Sequence, residues 1–184
     1  MSAHELAQPD VAVMKEPLDS PAMADLVANL DPINALAGAA PGFVWRLQTA
    51  DGDATAVRPL GEDTLVNRSV WRDVGSLGRY AYGSAHAGIL RRRQECFDRM
   101  KEAHVVLGWV PRGHRPDIAE AVARLETLRT QGPTAEAFPF RQAFSPPRRP
   151  GEGEQTIRGT RRRLDIARDS TGRRIRCRHG KPSP

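Results

Sequence analysis

The sequence predicts an α+β domain: a split β-α-β antiparallel sheet with its helices on one face. Three observations point there. Short segments whose apolar residues alternate are separated by longer ones whose apolar residues recur every three to four positions. Their order reads β-α-β-β-α-β, followed by one more helix. Beyond Ser145 aromatic side chains cease, which places the core in residues 1–145, enough chain for a single domain.

Val11-Ala12-Val13-Met14 is short, apolar and β-branched, and is read as the first strand, closed by Glu16-Pro17. Ser20-Pro21 then supplies an N-cap and a proline at the first helical position. Met23, Leu26, Val27, Leu30, Ile33 and Leu36 follow at helical spacing. Pro32 removes one internal hydrogen bond, so a kink or restart is expected at Asp31-Pro32, and Gly38 to Gly42 end the helix. In the next strand Phe43, Trp45 and Leu47 share one face, and Asp51-Gly52-Asp53 marks a turn. The strand from Thr64 to Trp71 sets Leu65, Asn67, Ser69 and Trp71 against Val66, Arg68 and Val70. A helical stretch from Asp73 to Glu102 is expected to break near Gly83-Ser84. His104 to Val110 reads as a final strand and Pro116 to Arg129 as an amphipathic helix, with Phe138, Phe140 and Phe144 adding an extended edge. A sheet sheltered on one side needs cover on the other, so a homodimer is expected.

With 39% hydrophobic and 27% charged residues the chain has globular composition, and no window approaches the ~20 apolar residues that cross a bilayer. Met1-Ser2-Ala3-His4-Glu5 lacks the basic and apolar stretches of a secretory signal, which predicts a cytoplasmic protein. Cys96 and Cys177 lie in segments of different character, and there is neither an H-E-x-x-H nor a C-x-x-C element, so no disulfide or metal site is expected. No glycine-rich loop joins a strand to a helix as nucleotide binding requires.

The net charge of +6 comes from the end of the chain. Residues 146–184 hold 12 Lys and Arg against 4 Asp and Glu, whereas residues 1–145 hold 16 against 18. The core domain is therefore not basic, and a nucleic-acid partner is not expected of it. Five prolines, five glycines and no aromatic residue predict that 146–184 is a disordered basic tail. Its Arg161-Arg162-Arg163 and Arg173-Arg174-Ile175-Arg176 runs lack the interleaved aromatics on which bases stack.

Three runs carry a resemblance. They are Asn29-Leu30-Asp31-Pro32-Ile33-Asn34-Ala35-Leu36 through Pro41-Gly42-Phe43-Val44-Trp45-Arg46-Leu47, then Leu65-Val66-Asn67-Arg68-Ser69-Val70-Trp71, and Ser84-Ala85-His86 through Phe97 to His104-Val105-Val106-Leu107-Gly108-Trp109-Val110-Pro111. Together they resemble a bacterial family catalogued as domain of unknown function 3291, in the ferredoxin-like, dimeric α/β-barrel superfamily. Cys96 and Gly108 depart from the pattern, which leads one to look for tryptophans there. The family is distantly similar to antibiotic-biosynthesis monooxygenases, small cofactor-independent oxygenases of the same superfamily. The resemblance implies a small-molecule enzyme of monooxygenase type, acting on a hydrophobic or aromatic metabolite between the sheet and its helices. Two alternatives stand beside it: a non-catalytic ligand-binding or stress protein whose cavity sequesters a metabolite, and, as other branches of the superfamily imply, a heme-binding protein using a histidine.

In those oxygenases an Asn-x-x-x-Trp pair and a later histidine line the cavity, and Asn67, Trp71 and His86 match that layout. Asn67 and Trp71 share one strand face and both donate hydrogen bonds, so they suit an oxyanion; a core tryptophan and a backbone cap are the plainer reading. His86, near neutral pKa, suits a proton acceptor, or else caps the helix beginning near Ser84. Arg93 and Phe97 share its helical stripe, so Arg93 is expected inward, against an acid or an anionic substrate. Trp45 and Trp109 read as core or interface, with pocket wall as the functional alternative.

Overall fold

In the computed structural model, which describes residues 2–147, strand β1 (His4–Val13) occupies the middle of a four-stranded antiparallel sheet. It pairs on one side with β3 (Thr64–Trp71) and on the other with β4 (Gly108–Pro111); β2 (Phe43–Arg46) extends the sheet beyond β3. The split β-α-β order and the antiparallel sheet thus agree with the sequence reading. The 146–184 tail lies outside the described residues except for its first two positions.

β1 begins seven residues before the expected Val11, because Glu5, Gln8, Pro9 and Asp10 make its first half look like a loop. Pro9 also accounts for the shortness of β4. Ala7 pairs with Gly108 and, in the same register, Asp10 bridges Val105. Between them Val106 N–H donates to Pro9 O at 3.1 Å, but proline has no N–H to return the bond. The expected 104–110 strand is therefore interrupted, and only Gly108–Pro111 forms a regular ladder. Beyond it Leu107 and Phe138 exchange backbone bonds at 2.8 and 2.9 Å, so the phenylalanine-rich segment contributes a single bridge.

α1 (Ala24–Ala39) follows a short 3-10 turn at Pro21–Met23 and runs through Pro32 without restarting, with Asp31 and Pro32 facing solvent. α2 (Val74–Gly83) is capped by Asp73, whose carboxylate accepts from Ser76 N at 2.7 Å. After the expected break at Ser84, α3 (His86–Cys96) stops six residues early. Phe97 there turns extended and bridges Met14 at the end of β1, so tertiary pairing overrides the helical pattern. α4 (Ile118–Gln131) opens with a full capping box between Asp117 and Glu120.

The cross-strand register sorts the two faces. Leu6, Gln8, Asp10 and Ala12 of β1 lie opposite Trp71, Ser69, Asn67 and Leu65 of β3, on the face that α1, α2 and α3 cover. Ala7, Pro9 and Val11 lie opposite Val70, Arg68 and Val66 on the reverse face. There α4 packs, burying Leu125 and Leu128 against Val11, Val66 and Val106. The added helix therefore sits across the sheet from the other three. The face that the sequence reading left for a second copy thus carries α4. Among the described residues no helix is long and apolar enough to cross a membrane.

Candidate functional site

The three helices of the front face do not seal against the sheet. α2 packs at one end through Leu77 on Leu6 and Trp71, while Met23, Phe97 and Leu65 cluster at the other end. Between them a cavity of about 410 Å³ opens above the centre of β1 and β3, within the size range of small-molecule sites. Its walls are Leu26, Leu30 and Ile33 of α1 and Ile89 and Leu90 of α3, half-buried side chains whose apolar stripe meets space instead of a core. Gln8, Asp10, Asn67 and Ser69 form the floor.

The floor is a directed chain of hydrogen bonds. Trp71 Nε1 donates to Ser69 Oγ at 2.9 Å, and Ser69 Oγ donates to Gln8 Oε1 at 2.7 Å. Gln8 Nε2 then donates to Asp10 Oδ2 at 2.6 Å, and Asn67 Nδ2 reaches Asp10 Oδ1 at 3.3 Å. Burial raises the Asp10 carboxyl above its ordinary value, opposed by the two amide bonds and the charge of Arg93. Trp71's one donor is thus committed to Ser69, which withdraws it from the oxyanion role suggested by the sequence. Asn67 spends one N–H on Asp10 and keeps the other.

Above the floor runs an aromatic stack. Phe43 meets Trp71 edge-on at 5.3 Å, Trp71 stacks on Tyr80 at 5.0 Å, and Tyr80 stacks on His86 at 4.7 Å. Tyr80 is pushed up to about 12 by burial and by Asp10, so it stays a phenol at neutral pH. His86 is displaced downward, chiefly by burial, and is therefore neutral under the same conditions. Its Nδ1 lies 3.4 Å from Ala81 O, a carbonyl that only accepts, so the proton belongs on Nδ1 and the lone pair on Nε2.

The structure gathers Asn67, Trp71, His86, Arg93 and Phe97 around this one cavity. Arg93 points inward as expected, its guanidinium 5.9 Å from the Phe97 ring centre and donating to Val11 O at 3.4 Å; it makes no ion pair within 4.0 Å among the described residues. Trp45 and Trp109 do not line the cavity. A bulge between Phe43 and Trp45 sets Trp45 opposite Val70 on the reverse face, beneath the Arg68 guanidinium at 5.7 Å. Trp109 packs with the Leu6 cluster and donates to Phe144 O at 2.8 Å, a core role.

Gly108 leaves no room for the expected indole. A Cβ there would overlap the Glu136 carbonyl oxygen and come within 2.5 Å of Arg124 Nη1. A family model described as Domain of unknown function (DUF3291) matches residues 5–154. The chain belongs to this family. The match spans every strand of the sheet and all four helices, and with them the whole cavity.

The curated proteins hold no match to this family member. Among solved structures it is similar to NE2512, a protein of unknown function from Nitrosomonas europaea, at 16% identity, covering 62% of this chain and 95% of that one with a TM-score of 0.40. It is similar to PA3566 from Pseudomonas aeruginosa at 17% identity, with 62% and 98% covered and a TM-score of 0.41. SnoaB, a cofactor-independent oxygenase from Streptomyces nogalater, matches at 15% identity with 63% and 100% covered and a TM-score of 0.38. At such scores these likenesses add nothing to what the chain's own geometry establishes.

Sequence reasoning missed Asp10, Gln8 and Tyr80. The alternation from Leu6 through Ala12 was the available signal for the first two, obscured by Pro9. Tyr80, four positions after Ser76 and three after Leu77, carries the inward spacing of α2.

Proposed function

We propose that this cavity belongs to a small-molecule enzyme that takes a proton from a hydrophobic or aromatic metabolite and works without a bound cofactor. The observation that carries the reading is the pairing of apolar walls with a half-buried, neutral His86 and a remaining Asn67 N–H in one cavity. A neutral imidazole with its lone pair on Nε2 is a base at the pH where the protein works. The proposed step is self-contained. A ring methylene next to a carbonyl loses a proton to His86, the carbanion reduces dioxygen, and the methylene ends as a carbonyl with release of water. Electrons for both products come from the substrate, and an Asn67 N–H steadies the oxygen on which charge collects.

Every group in this scheme lies on one chain. Native mass spectrometry of freshly purified protein tests the ligand directly, and oxygen consumption with fused-ring ketones tests the chemistry. Retention of an apolar compound and oxygen uptake lost in His86→Ala support the reading. Turnover of an identified substrate by His86→Ala at the wild-type rate would remove it.

A further inference from the structure

Asp10 is a carboxylate with lone pairs to spare at the bottom of a largely apolar cavity. The indole of Trp71 can only donate, so Ser69 Oγ accepts from it and sends its own hydrogen to Gln8 Oε1. That fixes the Gln8 amide with Nε2 toward Asp10, and Asn67 offers Nδ2 to the other carboxylate oxygen. Every proton in the chain therefore points at Asp10, an arrangement built for an acceptor. A carboxylate has about four lone-pair sites, and the amides fill two. Among the described residues Asp10 has no cation within ion-pair distance, and Arg93 acts on it only through space. Asp10 is half-buried as a residue and lines the cavity.

A polar acceptor held this firmly under apolar walls selects what binds above it. A site built to hydrogen-bond a hydroxyl discriminates strongly against the analogue that lacks it, because the acceptor is then left dry and unpaired. The lining balances Arg46, Arg68, Arg92 and Arg93 against Asp10, Asp25, Asp53 and Glu95, and Arg92 is held by Asp25 and Glu95. Arg93, whose charge acts on Asp10, has no ion pair within 4.0 Å among the described residues, so it disfavours an ammonium beside it and leaves a neutral hydroxyl as the fitting donor. We propose that Asp10 is the specificity-determining residue of the cavity, and that its ligand is a hydroxylated aromatic compound whose ring lies among Leu30, Ile33 and Ile89 while its hydroxyl donates to Asp10. This rests on the cavity being a small-molecule site but not on the chemistry that follows binding.

The test uses the full chain with 2-naphthol and 2-fluoronaphthalene, two probes of nearly equal size of which only the first has a donor. Binding is read by calorimetry on wild type, Asp10→Asn and Asp10→Ala, with circular dichroism confirming the fold of each variant. Wild type is expected to prefer the naphthol at least tenfold, and both variants to bring the ratio close to one. Comparable affinity for both probes in wild type, or a tenfold preference surviving in the variants, overturns the Asp10 assignment while leaving the cavity as a binding site. Failure of wild type to bind either probe overturns both. Because the wild-type ratio already decides, the proposal stays falsifiable even if Asp10→Ala does not fold.

Discussion

Replacing Gly108 by alanine adds a single methyl group at a place where two neighbours already meet. The new carbon overlaps the backbone oxygen of Glu136 and lies 2.5 Å from Arg124 Nη1, and those two atoms are themselves hydrogen-bonded at 2.6 Å. The arginine can swing away, but the carbonyl belongs to the segment leading into buried Ala137 and Phe138 and has little freedom to move. Overpacking of this kind costs about 1–3 kcal/mol, and loss of the Arg124 bond adds roughly 0.5–1.5. A total near 3 kcal/mol is expected, which for a domain of this size lowers Tm by roughly 6–12 °C. Urea unfolding of wild type and Gly108→Ala measures the difference. An Arg124→Ala background should recover only part of it, since the carbonyl remains. Equal stability of Gly108→Ala and wild type, within about 0.5 kcal/mol, would refute the close approach of β4 to the 136–138 segment and with it the explanation for a glycine at this position.

The remaining expectations follow from the same geometry. Leu125→Ala removes a buried anchor of α4 and is expected to cost about 2–5 kcal/mol in thermal or urea unfolding; a neutral effect would mean that α4 does not cover the reverse face. Burial raises Asp10, so ionising it works against the fold: the penalty is present at neutral pH and fades as pH falls through the raised value. Asp10→Asn should therefore gain on wild type as pH rises from the acid range to neutrality, and urea unfolding at several pH values that shows a constant difference would contradict this. His86 is lowered, so its contribution is whole above the ordinary value of 6.5 and is lost as pH falls below it through the folded value. In His86→Gln the acid-side slope of stability below pH 6.5 should be shallower than in wild type.

How far the sequence alone reaches depends on whether a feature is local. The Thr64–Trp71 alternation, the break near Gly83-Ser84 and the amphipathic helix after Pro116 are all set by neighbours within a few positions, and each stands in the structure as the residues suggest. The resemblance singles out Asn67, Trp71 and His86; the strand period sets Asn67 and Trp71 on one face, and the helix period sets Arg93 and Phe97 on one stripe with His86. Tertiary structure decided the rest. Pro9 hides a central strand whose partners lie on both sides of it, and only their register reveals that Asp10 stands across from Asn67, 57 positions away, and Gln8 across from Ser69, 61 positions away. A bulge turns Trp45 to the reverse face, and α4 packs on that face. Period reports which side of an element a residue occupies, but the carboxylate beneath this cavity exists only through pairing between distant segments, whose free energy no local pattern encodes.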